Sequence, residues 1–161
     1  MTLNYRPGVV GVVINKNNLV LVGERSDARG QWQFPQGGLQ EGESESEGIK
    51  REMKEEIGTD DFKILKISSS LTRYLFPNKL SYPEDKVPYD GQAHRWFLLE
   101  LNHDYTDESG NYIPPTKDID DEFINFKWVS PTEVYRNIVS WKKESYKEGL
   151  LLLGFKVEDK T

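Results

Sequence analysis

The sequence lacks cysteine altogether and has only two histidines among its 161 residues. A chain without cysteine has no disulfide framework, no zinc finger and no thiol nucleophile. Two histidines leave little scope for imidazole ligation of a metal. Oxygen atoms must therefore be the main ligands of any metal that this protein binds.

Long hydrophobic runs are absent as well. The longest are GVVGVVI at 8–14 and LLLLGF at 150–155, far short of the roughly 20 residues that span a membrane. The first residues also lack the apolar core of a signal peptide. We therefore expect a cytoplasmic protein without a membrane partner.

Positive charge is in the minority, since 21 Lys and Arg stand against 27 Asp and Glu, giving a net charge of −6. Sequence-independent binding to a nucleic-acid backbone depends on clustered Lys and Arg, so this balance argues against it. A phosphate-rich ligand would need cations as mediators.

The chain contains no internal repeat, low-complexity tract or linker, and its length fits one domain over 1–161. Runs rich in β-branched and aromatic residues predict strands, and two Pro- and Gly-containing stretches, 77–91 and 102–121, predict long loops. The predicted strands are 9–14, 19–24, 63–71, 94–101 and 123–129, the first two joined by a hairpin or a short connection. Strands mixed with helices predict the α/β class, a sandwich around a mixed β-sheet.

Two helical regions are predicted. The first begins after Ser44, which forms a capping box with Glu47, and ends at Gly58. Its apolar stripe is Ile49, Met53 and Ile57, at helical spacing. The second begins at the SPTE segment of 130–133 and covers about 131–153, with a break expected near position 140.

The first helix gathers Glu52, Glu55 and Glu56 on one face near its C-terminal end, where the helix dipole is already negative. Two carboxylates about 6 Å apart repel by roughly 3 kcal/mol at an effective dielectric constant of about 20. A divalent cation would reverse the sign of that interaction, and oxygen ligands select Mg²⁺ first and Mn²⁺ second. The alternative is an ordinary solvated acidic face.

These glutamates belong to a longer pattern of seven residues at fixed spacing. They are Gly37, Glu43, Arg51, Glu52, Glu55, Glu56 and Gly58. The pattern, at 37–59, resembles the signature of the Nudix hydrolases, which cleave phosphoanhydrides in nucleoside diphosphate derivatives. The apolar residue usual after the last Gly is Thr59 here. The resemblance implies a Nudix-type α/β/α sandwich and hydrolase activity that depends on Mg²⁺, with Mn²⁺ as a substitute.

The resemblance also implies roles for individual residues. Glu52 and Glu56 would ligate metal, Glu55 would be a further ligand or the general base, and the carbonyl of Gly37 would add a ligand. Arg51 and Glu43 would form an ion pair that ties the loop to the helix. Glu122 would help to bind metal or activate water, although Asp118, Asp120 and Asp121 are alternatives close by.

Five further segments resemble the Nudix subgroup that contains RNA pyrophosphohydrolases and asymmetric dinucleoside tetraphosphate hydrolases. They are YRPGV at 5–9, WQFPQGG at 32–38, GQAHRWFLL at 91–99, EFINFKW at 122–128 and VSWKKESY at 139–146. The likeness implies that Arg6 and Lys142 meet phosphate or base, that Tyr74 contacts phosphates, and that Val139 and Trp141 form a purine-recognition wall. Against these roles, Arg6 would be a solvated arm, Lys142 an exposed basic turn, and Trp141 a core residue.

The resemblance thus implies a hydrolase that converts the 5′-triphosphate of RNA to a monophosphate and pyrophosphate. The alternatives are hydrolysis of diadenosine tetraphosphate and, in another class, a nucleotide-binding module without turnover, which the intact set of glutamates disfavours. The main substrate, the base preference, the number of metals, the identity of the base and any protein activator stay open. A monomer is the simplest expectation.

Overall fold

The computed structural model describes residues 2–77 and 88–158. The strands are β1 (Tyr5–Val13), β2 (Val20–Arg25), β3 (Trp32–Gln33), β4 (Gln36–Gly38), β5 (Phe62–Ile67), β6 (Thr72–Leu75), β7 (Gly91–Leu101) and β8 (Phe123–Val129). The helices are α1 (Glu45–Ile57), α2 (Pro131–Asn137) and α3 (Lys143–Leu152), with a 3₁₀ turn at Ser140–Lys142. Within the described part of the chain, none of the helices is long and apolar enough to cross a membrane.

The strands form two sheets. The larger has the order β4-β1-β7-β5, with β6 also paired to β7, and the smaller has the order β3-β2-β8. Strand β1 runs parallel to β7 and antiparallel to β4, so the larger sheet is mixed. The predicted α/β class with a mixed sheet is therefore confirmed, and a second, antiparallel sheet accompanies it.

The segment between β1 and β2 connects the two sheets. A single antiparallel bridge, Ile14 to Val20, precedes the divergence of the strands, and Asn18 adopts a positive φ of 61° in the turn. Of the two predicted forms, a hairpin or a short connection, the structure has the connection.

Three predicted strand boundaries were wrong, and one of them is the start of β7, which lies at Gly91 rather than at residue 94. Strand β1 begins at Tyr5 rather than residue 9 because it pairs with β7 along its whole length. The predicted strand 63–71 divides after Ile67. At Ser68 the backbone N–H still donates to the Trp96 carbonyl, but the Trp96 N–H donates to the Ser68 hydroxyl in place of a backbone carbonyl. The hydroxyl in turn donates to the Ser70 carbonyl, and the regular ladder ends there.

Helix α1 begins and ends where the sequence predicted. The Ser44 side chain accepts the Glu47 N–H, and the Glu47 side chain accepts the Ser44 N–H. Gly58 ends the helix with φ of 86°, a conformation that costs a side-chain-bearing residue energy.

The second helical region is broken as predicted. Ser130 caps α2 by accepting the Glu133 N–H. The helix ends because Ile138 is extended, with φ −67° and ψ 148°. The 3₁₀ turn that follows reorients the chain before α3.

Two apolar clusters lie on either side of the sheets. The Met53 cluster, which covers the side that α1 packs against, includes Val9, Val13, Ile49, Met53, Ile57, Phe97 and Tyr112. The Trp96 cluster, beneath α2 and α3, includes Val10, Val12, Phe34, Trp96, Val134, Tyr146 and Leu150. Alternate residues of β1 enter opposite clusters, as the two-residue period of a strand requires.

The loop at 102–121 packs against the C-terminal end of α1. Tyr112 is 3% exposed, and its hydroxyl donates to the Ile57 carbonyl at 2.5 Å. The Asp120 N–H donates to the Glu55 carbonyl at 2.7 Å. These two bonds satisfy carbonyls that a helix end otherwise leaves without a partner. The other predicted loop, 77–91, falls mostly outside the described residues.

Substitution of Tyr112 by Phe removes one of these bonds without removing the ring. We expect the free energy of unfolding to fall by about 1–3 kcal/mol, because the Ile57 carbonyl is left buried without that donor. Urea denaturation monitored by circular dichroism measures the change. Tyr5→Phe, at a partly exposed site, is the matched control and should change stability by less than about 0.5 kcal/mol. Equal effects of the two substitutions would contradict the assignment.

Candidate active site

A cleft of about 420 Å³ opens where the N-terminal ends of β1 and β7 meet β4 and the loop before β8. Its lining includes Arg6, Arg25, Gln33, Gln36, Gly37, Tyr74, Gln92, Glu122, Trp141 and Lys142. A cavity of similar size lies at the opposite end of β1, about 26 Å away by strand length, and is lined by none of the predicted site residues. The site therefore belongs to the first cleft.

Arg51 links the acidic side chains of α1 to the preceding loop. It binds Glu43 bidentately, with Nε–Oε2 at 2.7 Å and Nη2–Oε1 at 2.9 Å. Its Nη1 donates to Glu52 at 2.9 Å and to Glu55 at 3.1 Å, and Nη2 also donates to the Gly38 carbonyl at 2.9 Å. All five N–H groups of the guanidinium thus have acceptors.

The electrostatic effect of Arg51 is uneven among the glutamates. Its hydrogen bonds lower the pKa of Glu43 to about 2. Glu52 also contacts Arg51, yet burial outweighs that contact and raises the pKa of Glu52 to about 7. A metal or a proton would satisfy Glu52 more fully than Arg51 alone does.

Glu56 is the most deeply buried carboxylate of the site, with 2% of its surface exposed. Its Oε2 accepts the Gln36 N–H at 3.0 Å, whereas Oε1 has no hydrogen-bond partner among the described residues. Burial, with the nearby Glu122 and Glu52 carboxylates, raises the pKa of Glu56 well above its usual range. An unpartnered buried carboxylate oxygen is costly unless a cation or proton compensates it.

Strand β4 passes close to these carboxylates because it is built from glycine. A Cβ added at Gly37 would lie 2.1 Å from the Glu52 carboxylate, and one at Gly38 would lie 2.3 Å from the Arg6 guanidinium. At these two glycines, only the backbone of β4 therefore separates the Glu52 carboxylate from the Arg6 guanidinium. The position of Gly37 allows its backbone to approach an ion beside Glu52.

Glu55 and Glu122 are more accessible. The Glu55 side chain is 38% exposed, and Glu122 is exposed on the cleft wall beside Glu56. The backbone around Glu122 is fixed from both sides, since Ser26 N–H donates to its carbonyl and Asp120 N–H donates to the Glu55 carbonyl. The loop therefore presents Glu122 to the C-terminal end of α1.

The donor set around α1 consists of carboxylate and backbone oxygens, the ligands that a hard divalent cation takes. Among residues 2–77 and 88–158, no three carboxylate or imidazole side chains converge into a ready-made cation site. Arg51 Nη1 binds Glu52 at 2.9 Å and Glu55 at 3.1 Å, so the guanidinium occupies one oxygen of each carboxylate. The remaining features fit a hard cation: two buried carboxylates, the unpartnered Oε1 of Glu56 and the glycine backbone beside them.

The opposite wall of the cleft is cationic and aromatic. Lys142 is 4% exposed, so the exposed basic turn considered from the sequence is wrong. Its Nζ donates to Gln33 Oε1 at 3.0 Å and lies 5.1 Å from the Trp141 ring centroid. Burial is the main cause that lowers the pKa of Lys142 to about 8. Trp141 packs edge-on against Tyr74 at 5.3 Å and is partly exposed to the cleft.

Val139 lies apart from the other residues predicted to bind substrate. It is partly buried and packs against the Trp96 cluster, outside the lining of the cleft. Arg6 lies in the cleft beside Gly38.

Sequence reasoning missed four residues of the cleft and its floor: Arg25, Gln33, Gln36 and Tyr146. Arg25 and Asp27 pair bidentately at 2.9 and 2.7 Å within the lining. Tyr146 stands four residues after Lys142, the helical spacing that places both on one face, and this was the available signal.

Arg51→Lys should weaken the fold because a lysine donates at most three hydrogen bonds in place of five. We expect a loss of about 2 kcal/mol at pH 7, measured by urea denaturation. Glu43 has a depressed pKa in the folded state, so its contribution is present above pH 4.5 and disappears as the pH falls toward 2. The variant should therefore lose less stability than the wild type between pH 4.5 and 3.

Arg95→Lys is the matched control, because Arg95 forms a longer ion pair, at 3.2 Å, with Glu45 on the same helix. Its effect should be smaller at pH 7. If the free energy of unfolding of Arg51→Lys fell between pH 4.5 and 3 as steeply as that of the wild type, the assigned role of the Arg51–Glu43 pair would be contradicted.

Comparison with known proteins agrees with this geometry. The family model described as NUDIX domain matches residues 4–149. The chain is 32% identical over 158 residues to Nudix hydrolase 25 of Arabidopsis thaliana, covering 96% of this chain and 89% of that protein. It is 35% identical over 147 residues to an RNA pyrophosphohydrolase of Campylobacter jejuni, covering 89% and 88% of the two chains.

A solved structure, the dihydroneopterin triphosphate pyrophosphohydrolase of E. coli, has the same fold. Its TM-score is 0.62 at 19% identity, and the match covers 92% of this chain and 98% of that one. The signature residues, the site that they form and the extent of the match lead to one conclusion. The chain belongs to the Nudix hydrolase family.

Proposed function

We propose that the protein is an RNA pyrophosphohydrolase, which hydrolyses the 5′-triphosphate of RNA to a 5′-monophosphate and pyrophosphate. The reaction would take place in the cytoplasm and prepare a transcript for decay. The observation that carries the proposal is one cleft whose lining combines Gly37 and Glu122, which adjoin the buried Glu52 and Glu56, with a cationic and aromatic wall. The similarity to the Campylobacter jejuni enzyme supports the choice of RNA.

The cleft fits a polyanion attached to a base. Arg6 and Lys142 offer positive charge to phosphates, and the Trp141 ring offers a face on which a base stacks. The Tyr74 hydroxyl, which accepts from Gln92 Nε2 at 2.7 Å, lies on the same wall. We assign the 5′-terminal nucleotides to this wall and the triphosphate to the space between it and Gly37.

A divalent cation, Mg²⁺ or Mn²⁺, would be held by Glu52, Glu56 and the Gly37 carbonyl, with Glu55 and Glu122 beside them. Bound there, it would offset charge on phosphoryl oxygens and favour ionisation of a water. The oxygen-only donor set makes a hard cation the expected one. Arg51 keeps Glu52 and Glu55 in reach of this position.

The chain's own groups account for positioning and proton transfer. A water oxygen attacks phosphorus, the anhydride P–O bond breaks, and pyrophosphate leaves with the electron pair. The water's proton passes to Glu55, which is exposed enough to release it to solvent. Arg6 and Lys142 stabilise the charge of the departing phosphates.

Hydrolysis of diadenosine tetraphosphate is the rival activity, because it demands the same polyphosphate and base contacts. The RNA proposal is therefore tested by rate comparisons on matched substrates. A non-catalytic module would bind both and convert neither.

Incubation of triphosphorylated RNA with the protein and millimolar Mg²⁺ should yield monophosphorylated RNA and pyrophosphate. Glu55→Gln should lower kcat by about 10²–10³-fold, the usual contribution of a general base. Glu122→Gln is the companion variant and should have a smaller effect if Glu55 is the base. Product is measured by electrophoresis of labelled RNA and by a pyrophosphate assay.

Diphosphorylated RNA, diadenosine tetraphosphate and free ATP serve as comparison substrates. Faster conversion of diadenosine tetraphosphate than of RNA would favour the rival activity. Wild-type product that does not exceed that of Glu55→Gln would defeat the proposal.

Glu56→Gln should separate stability from activity. In metal-free buffer at pH 8, replacing this buried carboxylate by an amide removes the cost of burying a charge, so Tm should rise by about 2 °C or more. Turnover should be lost at the same time. Glu55→Gln is the control for stability, because Glu55 is exposed and its substitution should move Tm by less than about 2 °C. A lower Tm for Glu56→Gln than for the wild type would contradict this account.

A further inference from the structure

A buried hydrogen-bond path leads from α3 to Glu56. Tyr146 in α3 is fully buried, and its hydroxyl donates to Gln36 Oε1 at 2.7 Å. The Gln36 backbone N–H donates to Glu56 Oε2 at 3.0 Å. Tyr146 and Glu56 are thus separated by one residue, which is itself only 8% exposed.

The position of the Tyr146 hydroxyl is fixed from several directions. It accepts the Phe34 N–H at 3.2 Å, and its ring stacks on Phe34 with centroids 5.2 Å apart and an interplanar angle of 19°. The Trp96 ring packs against its edge at 5.3 Å. Because the ring cannot shift in this packing, the hydroxyl is a rigid reference point for Gln36.

Gln36 is the first residue of β4, immediately before Gly37. Its side chain is fixed by Tyr146, and its backbone N–H fixes one oxygen of Glu56. A displacement of the Gln36 backbone would change the direction of Glu56 and the placement of the Gly37 carbonyl together. Both groups belong to the proposed cation site.

The 3₁₀ turn that leads into α3 contacts the QFPQ segment at 33–36 as well. Lys142, four residues before Tyr146, donates to Gln33, three residues before Gln36. The two contacts align α3 with this segment in one register. The substrate wall and the acidic side of the cleft therefore share a common support.

We propose that Tyr146 is a positioning residue for the divalent cation, acting through Gln36 on Glu56 and the Gly37 carbonyl. The proposal rests on the proposed function only for its effect on turnover. Its effect on cation binding is separate from the identity of the substrate. Loss of such supporting hydrogen bonds commonly weakens metal binding or activity by about 10–100-fold.

Tyr146→Phe tests the proposal because it removes the hydroxyl and keeps the stacked ring. Binding of Mn²⁺ to the folded protein, measured by electron paramagnetic resonance titration, should weaken by about 10-fold. The Mg²⁺ concentration that gives half-maximal turnover should rise by a similar factor. KM for triphosphorylated RNA, determined at saturating Mg²⁺, should stay within twofold of the wild type.

Gln36→Met removes the acceptor of the same bond and is the second variant. If one path connects the two residues, the double variant should bind Mn²⁺ no more weakly than the weaker single variant. If the losses of Mn²⁺ binding free energy in the two single variants added up in the double variant, the path through Gln36 would be overturned.

Ser68→Ala is the control for a loss of stability without a loss of positioning. Ser68 is 3% exposed, and its hydroxyl bonds to the Ser70 carbonyl and the Trp96 N–H, away from β4. This variant should lower Tm yet bind Mn²⁺ as the wild type does. Equal Mn²⁺ affinities of Tyr146→Phe and the wild type, or equal losses in Tyr146→Phe and Ser68→Ala, would overturn the proposal.

Failure of the proposed function has a different signature. Wild-type protein that binds Mn²⁺ but releases no pyrophosphate from RNA would reject the RNA reaction. Under that outcome the Mn²⁺ affinities of the variants still decide whether Tyr146 is a positioning residue.

Discussion

The guanidinium of Arg51 is the constraint on which the rest of the site depends. Each of its five N–H groups donates a hydrogen bond, and three of the partners are glutamates that would otherwise repel one another. The fifth bond, to the Gly38 carbonyl, anchors β4 to α1. One side chain thus fixes both the charge balance and the backbone approach that a cation requires.

The sequence allows two explanations for the clustered glutamates, a bound cation and a solvated acidic face, whereas in the structure Arg51 provides much of the charge compensation at Glu52 and Glu55. Glu56 is the residue for which that explanation fails, because it is buried and has an oxygen without a partner in the described structure. The loop at 102–121 offsets a second source of negative charge by donating to the last carbonyls of α1.

The sequence predicted the structural features that depend on residues close together in the chain. The capping box of α1, the stop at Gly58 and the break near Ser140 follow from residues within a few positions of each other, and the structure confirms them. The spacing of the signature predicted the acidic cluster. The Tyr146 to Gln36 bond and the contact of Tyr112 with α1 escaped prediction because they join residues 110 and 55 positions apart. The packing of Val139 also depends on a tertiary cluster that periodicity does not reveal.

The parallel pairing of β1 with β7 bears on how the enzyme is made. Tyr5 pairs with Gly91, so Arg6 and the strand that supports β4 reach their final neighbours only after most of the chain has emerged from the ribosome. Closing so long a loop is entropically expensive and slow compared with forming α1. A nascent chain can therefore form α1 before β1 pairs with β7, so the cleft that contains Arg6 is completed after the helix that carries the glutamates.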